Sequence, residues 1–356
     1  MGFRQWRWVV FVALPALGLG AGLARGEDAG PKAARPAVTG QPARQTVERA
    51  LTFLEKDAAK WKAEKKCASC HQGTMTAWAL NEAKNQGYAV PAETLAEMIA
   101  WAKTRALGRI DLPRDPRPGW KLVNLAAMEL AVGAQASPAA AVLSPDERRR
   151  VADHAVRHQE ADGSWAVPPP KNGPPPFTES AETSTLWASL ALQPFVPPDP
   201  KQASPLRESR DKAAAWLAKA KPSDSTQVLA LRLLLAVRAG RSPDLVKAAT
   251  DALLSRQHAD GGWGQIKDIP SDAFATGQAL YALNLAGVSK DRREVRRGVA
   301  FLVASQRPDG SWPMKSRAQP GEKPFTNPVP ITYFGSAWAT LGLVRSVPTN
   351  QLPRGR

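Results

Sequence analysis

One short unit occurs three times in this chain, and an internal repeat restricts the fold more than any single motif does. Its fullest copy is RRGVAFLVASQRPDGSW, Arg296–Trp312. Helical periodicity holds up to Ser305 and then yields to the turn residues Pro308, Asp309 and Gly310. Gln306 stands at the helix end, and Gly310 and Trp312 complete the turn. Two further copies read LLSRQHADGGW, ending at Trp263, and AVRHQEADGSW, ending at Trp165. Trp263 and Trp312 are 49 residues apart, and Trp165 and Trp263 are 98 apart, twice that spacing. A glutamine at a helix end can bond free backbone groups of the next helix, with the tryptophan as an apolar lid over it.

Between these units the helical patterns come in pairs. The first member of each pair is amphipathic: Arg44–Ala59, Ala92–Ala106, Pro145–Gln159, Leu206–Ala220, Pro243–Gln257 and Asp291–Gln306. The second is apolar nearly all round: Thr74–Gln86, Trp120–Val132, Ala181–Leu192, Ser225–Ala239, Ala273–Ala286 and Thr332–Val344. Helices apolar on every face belong inside a shell of amphipathic ones. Gly87, Gly133, Gly240 and Gly287 read as C-terminal caps of four inner helices. Six such hairpins close into an all-α, alpha/alpha toroid. Proline-rich stretches at Val167–Phe177 and Pro313–Pro330 each follow a Gly-Ser-Trp turn and are expected at one end of it.

The three copies resemble the "QW" repeat of the squalene and oxidosqualene cyclases, whose relatives include the beta subunits of protein prenyltransferases. The resemblance covers most of residues 44–346 and implies a single squalene-cyclase-like toroid. It also implies an isoprenoid or other apolar ligand. In that family an Asp-x-Asp-Asp-Thr-Ala motif begins an inner helix, and its middle acid protonates the alkene. The nearest matches here are Glu179-Ser-Ala-Glu182-Thr183-Ser184 and Asp272-Ala-Phe-Ala-Thr276-Gly277, and neither reproduces the motif. Glu182, Glu179 and Asp272 are therefore the candidate catalytic acids. The plainer reading of Glu182, Asp224 and Asp272 is that they cap helix amides and answer the helix dipole.

The N-terminus reads as an export signal over residues 1–26. Arg4 and Arg7 precede an apolar run from Val9 to Leu23, and Ala24-Arg25-Gly26 gives a small-x-small cleavage pattern. The mature chain is expected in the periplasm or outside the cell, with a retained membrane anchor as the alternative. Residues 27–43 read as a flexible linker and 347–356 as a tail. The net charge of +16 becomes +13 once Arg4, Arg7 and Arg25 leave with the signal. The basic residues are scattered over many helices, so nucleic acid is not an expected partner, whereas an anionic membrane surface stays open.

Cys67-x-x-Cys70-His71 contains the only two cysteines in the chain. In an exported protein this spacing signals covalent haem c, with two thioethers and His71 as proximal iron ligand. Met75, Met98, Met128, His154 and His158 qualify by residue type as the second axial ligand. A zinc site completed by a carboxylate, a Cys67–Cys70 disulfide and two inert thiols are the alternatives. His154, His158 and His258 are expected in structural or surface roles. Twelve tryptophans are present, and Trp78, Trp120, Trp187 and Trp338, with Phe274, Tyr281, Tyr333 and Phe334, fall on or beside inner helices. There they either line a cavity or fill it. Three functional classes follow: an apolar-ligand toroid with or without chemistry, a haem redox protein, and a non-enzymatic binding scaffold.

Overall fold

The computed structural model describes residues 40–65, 70–108, 110–111, 124–136, 142–165, 180–196, 202–221, 223–314 and 328–347. Twelve α-helices are present among them. The outer set is α1 (Gly40–Lys65), α3 (Ala92–Leu107), α5 (Pro145–Arg157), α7 (Pro205–Lys219), α9 (Pro243–Leu254) and α11 (Arg293–Ser305). The inner set is α2 (Thr76–Asn85), α4 (Leu125–Ala136), α6 (Ala181–Leu192), α8 (Thr226–Arg238), α10 (Ala273–Leu285) and α12 (Pro328–Ser346). A π-helical turn, Cys70–Met75, leads into α2. No strand occurs among the described residues, only an isolated bridge between Trp263 and Asp272.

Local chemistry sets the helix starts. Ser144, Ser180, Ser204, Ser225 and Asp272 each accept a backbone N–H of the first turn, and Pro145, Pro205 and Pro243 occupy the first helical position. Asp224 is not the cap of α8, because Ser225 fills that role. Gly87, Gly240 and Gly287 end α2, α8 and α10 with positive φ, as their positions predict. Gly133 does not: it lies inside α4, packed against the Trp78 ring. The helix α1 begins at Gly40, ahead of the expected Arg44.

The inner helices form a closed ring in which α2, α4, α6, α8, α10 and α12 each pack on the next and α12 packs back on α2. Burial follows the two-layer pattern. Every residue of α6 from Glu182 to Leu192 is buried, whereas α9 buries only Thr250 and Leu253. Removing that much apolar area from water is the main stabilising term. No helix among the described residues is long and apolar enough to cross a membrane.

The repeat unit is the seam of the toroid. Gln159, Gln257 and Gln306 each donate their side-chain amide to two carbonyls. One belongs to their own turn (Gly163, Gly261, Gly310) and the other to the next outer helix (Ser209 of α7, Glu294 of α11, Thr46 of α1). Trp165, Trp263 and Trp312 bury fully and donate the indole N–H to Ala155, Leu253 and Leu302 of the helix just ended. Their backbone N–H groups donate to Thr185, Thr276 and Ser336 on the following inner helix. Glycine is required at 163, 261 and 310, where φ is positive and an added Cβ would meet the carbonyl oxygen of Lys212, Arg297 or Arg49.

Candidate ligand site on the toroid axis

Four inner helices each send one large aromatic to the axis. Trp78 lies 5.3 Å from Trp338, 5.5 Å from Tyr281 and 6.2 Å from Trp187, mostly edge to face. Tyr281 and Trp187 lie 5.9 and 6.2 Å from Trp338. These separations suit the ring quadrupoles. Closer to the helix starts, Phe274 and Phe334 form a second pair 5.3 Å apart. The aromatics therefore meet one another across the axis. The Trp187 and Trp338 indole N–H groups are buried without a hydrogen-bond partner among the described residues.

Charged groups near the far ends of the inner helices escaped the sequence reading. Glu82 of α2 is fully buried and paired with Arg345 of α12 at 2.9 Å, with Gln86 donating from 3.3 Å. Burial pushes the Glu82 carboxyl up, and Arg345 offsets part of that rise. Arg238 of α8 donates to the Gln135 side chain at 2.9 Å and to the Val132 carbonyl at 3.1 Å. Arginines at helix C-termini answer the dipole there.

Glu129 was also missed. It sits in mid-α4, fully buried, with both carboxyl oxygens lacking a hydrogen-bond partner among the described residues. Desolvation alone raises its carboxyl to about 8, so it is neutral at pH 7. The signal was present as a lone acid inside the apolar run Met128-Glu129-Leu130-Ala131-Val132.

The candidate acids are dispersed. Glu182 is buried in the first turn of α6, where Arg232 of α8 holds it from Nη2 at 2.5 Å and from Nε at 2.6 Å. It does not cap α6, since Ser180 does. Asp272 caps α10 through Ala275 N–H at 2.8 Å, and the Gln265 side-chain amide donates to its other oxygen at 2.6 Å. Part of the Asp272 residue reaches solvent, yet protein atoms crowd its carboxylate, and burial raises it to about 6 against those two hydrogen bonds. Glu179 lies outside the described residues.

Cys67 and Trp120 also lie outside the described residues, and Cys70 and His71 are described by their backbone alone, as the opening of the π-helical turn. His154 and His158 are buried beside each other, ring centroids 4.0 Å apart. Both ring nitrogens of His154 are engaged, Nδ1 with the Ile110 carbonyl and Nε2 with the Asn124 N–H, each at 3.0 Å. His258 bonds Ser271 at 3.0 Å.

Residues 224–335 match the squalene-hopene cyclase C-terminal domain. The squalene–hopene cyclase of Zymomonas mobilis is 33% identical over 99 residues, covering 28% of this chain and 15% of that one. A drimenyl diphosphate synthase of Streptomyces showdoensis is 37% identical over 79 residues, covering 22% and 14%. The type II terpene cyclase MstE from Scytonema superposes over 87% of this chain and 99% of its own, with a TM-score of 0.53 at 14% identity. The chain is squalene-cyclase-like. Its match spans well under two thirds of these curated relatives. The toroid fold itself is wider than that chemistry, for a polysaccharide lyase shares it at a TM-score of 0.50 and 11% identity. Within this squalene-cyclase-like toroid, the axis is where the ring faces meet the Trp187 and Trp338 N–H groups, which are unpartnered among the described residues.

Proposed function

We propose that this protein is an exported toroid that binds an isoprenoid or another apolar ligand on its axis. One observation carries the reading: Trp78, Trp187, Tyr281 and Trp338 converge there from four separate helices. Flat apolar faces with polar edges are what an extended apolar ligand recognises. The likeness to terpene cyclases supports the ligand class. Export rests on the N-terminal signal pattern.

Binding leads in this reading, and chemistry follows. Alkene protonation asks for a strong acid. Glu182 is committed to Arg232, and Asp272, raised to about 6, is a weaker acid than a free aspartic acid. The decisive experiment titrates the mature protein with squalene and farnesol while tryptophan fluorescence is followed. Saturable spectral change, lost in Trp338→Leu at unchanged helicity, is the expected result. A flat titration with every isoprenoid would overturn the reading.

A second reading concerns Cys67, Cys70 and His71, and the π-helical turn at Cys70–Met75 favours it, since such turns recur at functional sites. Covalent haem c would use both thiols, with His71 as proximal ligand. A bound haem supplies one-electron chemistry. Met98 on α3 and Met128 on α4 belong to elements packed against the turn, whereas His154 has both ring nitrogens committed. A Soret band that survives acid-acetone extraction would support haem. A colourless protein with the bare chain mass would reject it, and one bound zinc by metal analysis would favour the zinc alternative.

A further inference from the structure

The aromatic cluster has a polar storey beside it. Thr74 stands one helical turn before Trp78, Ser184 one turn before Trp187, and Gln278 one turn before Tyr281. Residues three or four apart share a helix face, so these side chains lie on the stripes that carry the rings to the axis. Glu129 stands one turn before Gly133, the residue on which Trp78 packs. All four are buried to 2% exposure or less. The Thr74 and Ser184 hydroxyls, both ends of the Gln278 amide and both Glu129 oxygens lack hydrogen-bond partners among the described residues.

A finished apolar core would not carry these groups, because each unpartnered buried polar group loses its hydration without a compensating bond. Three of them, on α4, α6 and α10, and one in the π-helical turn each stand one turn before a residue of the ring layer that also carries the Trp187 and Trp338 N–H donors, and together they form a set that a ligand can satisfy. A bare hydrocarbon leaves every one unpaired. An oxygen function that both donates and accepts answers the amide, the hydroxyls and the carboxyl together.

We infer that the axial ligand is oxygenated, an apolar molecule bearing an alcohol function, and that Gln278 and Glu129 read its oxygen while the aromatics hold its body. The inference rests on the axial-ligand reading and narrows it. Ligand entry separates rings that touch in the free protein, so binding moves the tryptophan emission.

The test compares farnesol with farnesane, its saturated hydrocarbon counterpart, on the mature protein by calorimetry and tryptophan fluorescence. Farnesol is expected to bind about tenfold tighter or more, the worth of one or two net hydrogen bonds. Gln278→Leu should reduce that ratio to about threefold or less by weakening farnesol. Glu129→Met, similar in length but without a strong donor or acceptor, should also lower it and guards against a folding failure in the first variant. Farnesane binding as tightly as farnesol, or an unchanged ratio in both variants, overturns the inference and leaves the axial site standing. No response to either probe overturns the axial reading as well.

Discussion

Gln306 donates its side-chain amide to the backbone carbonyl of Thr46, 260 residues earlier, at 2.9 Å. This bond joins the last outer helix to the first and closes the outer ring. Arg49 reinforces it by donating to the Gln306 carbonyl oxygen from Nη2 at 2.6 Å and Nε at 3.0 Å.

Gln306→Leu should therefore destabilise the fold by about 1–3 kcal/mol, since it removes both amide bonds and the side-chain oxygen that Arg49 donates to. Urea denaturation with the N-terminal helix labelled checks it. A midpoint equal to that of the parent protein would show that apolar packing alone closes the ring.

Gly133→Ala tests the axial packing. An added Cβ would lie 2.7 Å from Trp78 Cγ and 2.8 Å from Cδ2, a clash with a rigid ring. We expect a loss of about 1–3 kcal/mol, together with a change in near-ultraviolet dichroism. Unaltered spectra and stability would mean that α4 does not press on Trp78.

Glu182→Gln addresses the ion pair with Arg232, whose side chain keeps 35% of its exposure against 6% for Glu182. A buried pair broken on one side costs several kcal/mol, but solvent at Arg232 reduces this to about 1–2 kcal/mol. Pure dipole compensation in the first turn would amount to about 1 kcal/mol or less. A double-mutant cycle with Arg232→Met separates the two, and a coupling energy near zero would rule out the ion pair.

His154 makes the fold sensitive to acid. Burial, aided by the neighbouring His158, lowers it from 6.5 to about 4. The unfolded chain then binds the extra proton first, so stability falls as pH drops from about 6.5 towards 4 and is level above that window. His154→Gln should shrink this slope in denaturation midpoints measured across that range. An unchanged slope would assign the acid sensitivity to other groups.

Glu129 acts in the opposite sense. Its folded value of about 8 exceeds its ordinary 4.5, so the native state holds a proton that the unfolded chain has released. Its contribution to stability declines as pH rises from about 4.5 to 8 and is lowest above 8. Glu129→Leu should raise the melting temperature at pH 8.5 by more than at pH 4.5. Equal shifts at both values would show that the carboxyl is ionised in the fold.

The sequence by itself determined the helices, their order and their division into two layers. Capping serines, C-terminal glycines such as Gly87 and hydrophobic period act within a few residues, so they can be read along the chain. The QW turns are legible for the same reason, because Gln306, Gly310 and Trp312 make part of their pattern inside one turn. Tertiary structure alone decided which distant groups meet. Gly133 has the spacing of a cap, yet it serves as a seat for Trp78 because another helix passes there. Glu182 looks like a helix-start acid, and only the approach of α8 gives it Arg232. The Glu82–Arg345 pair and the four rings on the axis likewise depend on closure, which brings separate helices together at a few ångströms. Hydrogen bonds, ring contacts and desolvation act only at that range, and no local pattern records which partner arrives.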